Sequence, residues 1–227
     1  MRLLKLEKAE LWLECEGMPT CASGKALRGF FGHLYRNRTE FHHHDNRSNR
    51  LVYNHPLIQY KIIDKDRALV VALKEGAYLL KAVPRLTHLE LYHKKCLVLK
   101  QKLYSQTISF GVTPEPVHYQ FLKPWVPLNE KNYVEYLRLK RNKKATDTFL
   151  ERILIGNIIS MCKIMRYTAD DKIEAEVRVE EIGKIHLKPN VSLLGFRGEF
   201  SINFLIPDFW GIGKSSARGY GTVLKRG

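Results

Sequence analysis

Three consecutive histidines, His42, His43 and His44, stand in the polar stretch FHHHDNRSNR, residues 41–50. Three neighbouring imidazoles there cannot all enter a core, so they face solvent, bind a metal or move protons. Adjacent histidines rarely converge on one ion, and no partner pair at ligand spacing appears, so neither a metal nor another cofactor is expected. Histidine titrates near neutral pH, which suits general acid–base work. RNA offers a matching reaction. Its 2′-hydroxyl attacks the adjacent phosphate when a base takes the proton and a cation or donor steadies the charged transition state. Arg47 or Arg50 can hold that phosphate. A plain solvent-exposed loop is the alternative.

A second unusual stretch, FWGIGKSSARGYG, covers residues 209–221. Gly211, Gly213, Gly219 and Gly221 form the spacing G-x-G-x5-G-x-G, with Lys214, Arg218 and Tyr220 among them. Such density of glycine means sharp bends or close backbone approach. A phosphate-binding P-loop fails because Asp208 stands where its first glycine belongs. A dinucleotide fingerprint fails at Ser216 and lacks room for the following helix. Backbone N–H groups in consecutive turns can still accept phosphate oxygens, with Lys214 and Arg218 adding charge and Tyr220 a stacking face. A glycine-rich hairpin tip is the bland reading. A further basic cluster, RLKRNKK at 138–144, carries Arg138, Arg141, Lys143 and Lys144. It reads equally as an RNA contact or as a solvated helix end.

The whole composition agrees with a polyanionic partner. Lys and Arg number 38 against 23 Asp and Glu, a net charge of +15 in 227 residues. Such a surplus argues about partners and not about fold, and nucleic acid is the commonest polyanion for an intracellular protein. Charges interrupt the N-terminus and the longest apolar stretch, FLERILIGNIISMCKIM, so neither a signal peptide nor a membrane span is expected. Cys15, Cys21, Cys96 and Cys162 lack C-x-x-C spacing and read as reduced core thiols of a cytoplasmic protein.

Hydrophobic periodicity supplies the elements that must position these residues. Alternation over 10–16 predicts a strand, and Leu27, Phe30, Phe31, Leu34 and Tyr35 a helix capped by Ser23. Strands follow at 57–63 and 68–73, a helix ends before Pro84, and a strand is expected at 88–104. The order β-α-β-β-α-β is the ferredoxin-like unit. The second half predicts a strand near 117–125, helices at 130–141 and 147–166 with a capping box at Thr148 and Glu151, and strands at 173–179 and 194–206. A last strand is expected in YGTVLK. The expected class is α+β, two tandem ferredoxin-like (RRM-like) domains at 1–104 and 105–227, antiparallel sheets with helices on one face.

The terminal glycine pattern after a long apolar strand resembles the glycine-rich loop of the repeat-associated RNA-binding superfamily of CRISPR systems. Within it the chain looks most like the endoribonucleases that cleave repeat transcripts into guide RNAs. ASGKALRGFFGHLY, residues 22–35, resembles the Gly-x-x-Leu-Arg-Gly-like pattern on the first helix of that superfamily. The resemblance implies metal-independent cleavage leaving a 2′,3′-cyclic phosphate, by a histidine on or just after the first helix. By location that implicates His42, His43 or His44, with His33 in reserve and Tyr35 as an orienting partner. It implies repeat RNA as the partner, with further CRISPR effector subunits as additional partners. A non-catalytic guide-RNA-binding subunit and an unrelated basic RNA-binding α+β protein remain the alternatives.

Overall fold

The computed structural model describes residues 2–35, 56–188 and 191–227. His42, His43, His44, Arg47 and Arg50 lie outside the described residues. The chain forms two compact units, one of Lys5–Ile108 with Ala217–Gly219, the other of Ser109–Ser216 and Tyr220–Gly227 with residues 2–4.

In the first unit β1 (Leu4–Glu16) leads into α1 (Gly24–Leu34), then β2 (Ile58–Ile62), β3 (Arg67–Leu73) and α2 (Glu75–Lys81). The hairpin of β4 (His88–Leu91) and β5, which starts at Lys94, completes it. The strand order β2-β3-β1-β5 is the ferredoxin-like one. Ala9, Leu11, Leu13 and Cys15 of β1 pack with Leu27 and Phe31 of α1 beneath Ile58, Tyr60, Val70 and Leu80. The even-numbered residues of β1 face away from that core, as a two-residue period requires. Ser23 caps α1 as expected, its Oγ accepting from the Ala26 N–H at 3.4 Å.

The single strand expected at 88–104 is instead a hairpin. Tyr92 and His93 make its turn with φ of 52° and 63°. Two left-handed residues are what a two-residue hairpin turn needs, but Tyr-His lacks the Asn or Gly that normally announces one. Nor does a strand start near 117. β5 runs unbroken from Lys94 to Phe121. A register irregularity between Val112 and Val117 accommodates Pro114 and Pro116, residues that read as breakers in the sequence.

The second unit holds the end of β5, α3 (Glu130–Leu139), α4 (Lys143–Met165), β6 (Ala175–Lys188), β7 (Val191–Leu205) and β8 (Val223–Lys225). β5 pairs with β7 on one side and β8 on the other, and β6 pairs with β7. That order, β6-β7-β5-β8, repeats the ferredoxin-like plan, with one departure. Where the second helix belongs, the chain between β7 and β8 makes turns and one 3-10 turn at Ser216–Arg218. α4 starts four residues earlier than expected because Asn142, not Thr148, caps it, accepting from the Ala145 N–H at 3.1 Å. The core is aromatic, with Phe121 stacked on Trp125 at 5.3 Å and Phe110 edge-on to Phe204 at 4.9 Å. Cys15, Cys96 and Cys162 are buried, but Cys21 is exposed, contrary to the expectation of four core thiols. No helix among the described residues is long and apolar enough to cross a membrane.

Candidate nucleic-acid interface

The site is built on the start of α1. A Cβ on Gly24 would come within 2.3 Å of two backbone oxygens, those of Tyr60 on β2 and of Arg218 in the glycine-rich segment. Only glycine lets the helix begin this close to both. Residues 217–219 thereby lie along β2, the edge strand of the first unit, and Gly219 (φ 93°) follows the same edge, where an added Cβ would be 3.1 Å from the Tyr60 oxygen. Covering an edge strand removes a row of open hydrogen-bonding groups.

One turn along α1 from Gly24 is Arg28, half-buried. Burial, and then the charge of Arg218, both act against its guanidinium and lower its pKa. Each guanidinium thus acts against the charge of the other. Tyr60 beneath is fully buried, and burial pushes its phenol up. Lys61 is also fully buried, its Nζ donating to Gln59 Oε1 at 2.8 Å. Burial, and then the nearby Lys8 charge, hold its pKa well below the ordinary lysine value.

His33 is exposed in the last turn of α1. Five residues at 100° each put it roughly 140° around the helix from Arg28, so the helix alone does not bring the two together. Tyr35 follows as the C-cap residue, its ring stacked on buried Phe31 at 6.4 Å, and burial pushes its phenol up. That is a packed position.

The glycine-rich segment is mostly occupied by its own fold. Trp210 and Ile212 are fully buried, and Ile212 N–H donates to the Gly221 oxygen at 3.0 Å. A Cβ on Gly221 (φ 61°) would sit 1.9 Å from the Ile212 oxygen. One on Gly213 (φ 81°) would meet Trp125 Nε1 at 2.9 Å and the Val126 oxygen at 3.0 Å. Gly211 pairs with Thr222 in an isolated bridge. The close approaches of these glycines, among the described residues, are to the protein's own backbone and side chains. What the segment offers a partner is exposed Lys214 with half-buried Arg218 and Tyr220.

The basic cluster belongs to other elements, the end of α3 and the start of α4. Arg138 is 3.5 Å from Glu135, Lys140 binds Glu181 at 2.7 Å, and Lys143 binds Asp147 at 2.9 Å. Arg141 and Lys144 are exposed. No cluster of three or more metal-type ligands occurs among the described residues. Sequence reasoning alone does not assign Arg28 or Lys61 to the site. Arg28 is signalled by the Leu-Arg-Gly of the first helix, whereas nothing in the sequence places Lys61 under the loop.

Residues 4–109 match the family model of the Cas6b N-terminal domain and residues 111–226 that of the Cas6b C-terminal domain. An uncharacterized protein of Methanocaldococcus jannaschii, MJ0978, is 42% identical over 116 residues, which are 51% of this chain and 77% of that protein. A crystal structure of a Cas6b protein is similar over 98% of this chain and 100% of its own, with 34% identity and a TM-score of 0.87. A crystal structure of a CRISPR RNA processing endoribonuclease Cas6b shares 31% identity over the same fractions, with a TM-score of 0.73. Both halves match, in order and nearly end to end, and the chain belongs to the Cas6b family.

Proposed function

We propose that this protein is a metal-independent endoribonuclease that binds CRISPR repeat RNA and cleaves it to guide RNAs. The observation that carries the reading is that the glycine-rich segment passes against the start of α1, the Arg218 backbone oxygen 2.3 Å from where a Gly24 Cβ would stand, so that Arg218 comes to the helix that carries Arg28 and both can serve one phosphate. The helix that carries Arg28 also carries His33, and His42, His43 and His44 come after it in the sequence. Membership of the Cas6b family supports the substrate, as does similarity to a Cas6b known as a CRISPR RNA processing endoribonuclease.

In the proposed reaction a general base takes the proton of the 2′-hydroxyl on the nucleotide 5′ of the scissile phosphate. The oxygen attacks phosphorus, the 5′-oxygen leaves and takes a proton from a general acid, and a 2′,3′-cyclic phosphate remains. Arg28 and Arg218 stabilise the charge that gathers on the non-bridging oxygens. One of His42, His43 and His44 transfers the proton, or His33 does so. Lys214 and Tyr220 contribute a phosphate contact and a stacking face.

The test is incubation with the repeat RNA of the same locus in EDTA. Size-specific cleavage is expected, ending in a cyclic phosphate, and lost when the attacking hydroxyl is replaced by hydrogen. Changing His42, His43 and His44 together to Ala should slow cleavage roughly a hundredfold or more with far less effect on affinity. Cleavage that requires a divalent ion overturns the mechanism. Full activity in the triple variant moves the assignment to His33, tested as His33→Ala.

A further inference from the structure

The first turn of α1 is weakly held by its own sequence. Gly24 opens it, a residue that the nearby Tyr60 and Arg218 oxygens demand but that favours a helix poorly. Lys25 follows with no acidic residue in that turn, so a positive charge stands at the positive end of the helix dipole. The Ser23 cap is stretched, its Oγ 3.4 Å from the Ala26 nitrogen. A third group completes the join. The Tyr92 hydroxyl lies 2.8 Å from Ser23 Oγ, brought there by the β4–β5 hairpin, whose Leu89 and Leu91 share a core with Leu27 of α1.

That contact is kept at a conformational cost. Tyr92 and His93 turn the hairpin with φ of 52° and 63°, where an L side chain crowds its own backbone and Asn-Gly is the ordinary choice. About half of the Tyr92 surface is exposed, so the ring is not there to fill a core. Strain retained at an exposed aromatic residue points to a role beyond packing. We propose that Tyr92 is a positioning residue for RNA cleavage: through Ser23 it pins the first turn of α1, and so fixes where the Arg218 segment crosses the helix that carries Arg28. This rests on the reading of the protein as a repeat-RNA endoribonuclease. The ring and the amide converge on one serine oxygen, which has two lone pairs to receive them.

Tyr92→Phe removes the hydroxyl and keeps the ring. In single-turnover cleavage of the repeat RNA at saturating protein it should slow the step about tenfold, with RNA affinity within about twofold of the parent. Ser23→Ala should do the same, and the double variant should be little slower than either. Ser23→Thr, which keeps the capping oxygen, should restore most of the rate that Ser23→Ala loses. Tyr92→Asn, which suits the left-handed turn, should melt no lower than the parent and still cleave slowly, whereas losing a merely structural contact lowers stability as well. Hydrogen exchange adds a readout that needs no activity. The Ala26 and Leu27 amides, which donate to the Ser23 Oγ and backbone oxygens, should exchange at least about threefold faster in Tyr92→Phe than in the parent. The parent rate in Tyr92→Phe, affinity lost in step with rate, or unchanged exchange at these amides overturns the positioning role. A parent chain that leaves repeat RNA uncut overturns the enzymatic reading instead, and the exchange then still decides whether Tyr92 holds the helix.

Discussion

The two units share one plan and differ at one position. In the first, β3 returns through α2; in the second, the corresponding connection between β7 and β8 is the glycine-rich segment. A helix satisfies its own backbone and offers side chains on a fixed face. An irregular segment has to find partners for its backbone elsewhere. Here they are found at two places. Gly213 and Gly221 lock the ends of the segment into the second unit, while its middle, residues 217–219, belongs with the first unit against α1 and β2. Replacing a helix by glycine-rich chain thus places Arg218 beside Arg28, an arrangement that the regular first unit does not build from its own connection.

That contrast breaks most visibly at the glycines. Gly221→Val should cost about 4 kcal/mol or more, measured by urea denaturation, since the side chain meets the Ile212 oxygen at 1.9 Å in a left-handed conformation. Gly24→Ala should also destabilise, although alanine ordinarily favours a helix, because both colliding atoms are backbone. It should lower RNA cleavage further than its stability loss explains, by pushing the Arg218 segment off α1.

The charges sharpen the comparison at a smaller scale. Lys214→Ala should weaken repeat-RNA affinity across sequences and reduce the salt slope by about one contact. Arg138→Ala, in the paired cluster of the second unit, should change stability by less than about 0.5 kcal/mol, as an exposed pair does. Lys61 gives a pH signature. Its folded pKa is depressed, so the unfolded chain binds more protons, and the stability this residue withholds is regained as pH rises towards about 10. The stability of Lys61→Met should therefore rise less steeply with pH than that of the parent, and equal slopes would contradict the burial of a strained cation.

One effect expected is a gain. Gly29 is an exposed helical glycine with nothing within 4 Å of an added Cβ. Gly29→Ala should stabilise by up to about 1 kcal/mol. Set beside Gly24→Ala, five residues earlier on the same helix, it separates glycines that the packing demands from one that it does not.

Much of this architecture was legible from periodicity. The capped first helix, the strand pair across Asp64–Arg67 and the helix before Pro84 all follow from local chemistry that tertiary contacts do not overrule. The misreadings have local causes too. Tyr92 and His93 take left-handed conformations without a turn residue, and Pro114 and Pro116 sit at an irregularity inside a 28-residue strand. At the site, the sequence pointed to the glycine segment but not to what its glycines approach. Spacing in a sequence marks where the backbone must come close; only the fold identifies the partner. The adjacency of Arg28 and Arg218 joins residues far apart in the chain, and no periodicity reports it.

That adjacency is the central claim, and a double-mutant cycle tests it. Single-turnover cleavage of repeat RNA at saturating protein would be compared for the parent, Arg28→Ala, Arg218→Ala and the double variant, each checked for folding by thermal denaturation. If the two guanidinium groups hold one phosphate, each single change should slow cleavage roughly a hundredfold, and the double variant should be little slower than either single one. Rates that multiply independently, or a parent rate retained in both single variants, would show that helix and glycine segment do not serve one phosphate.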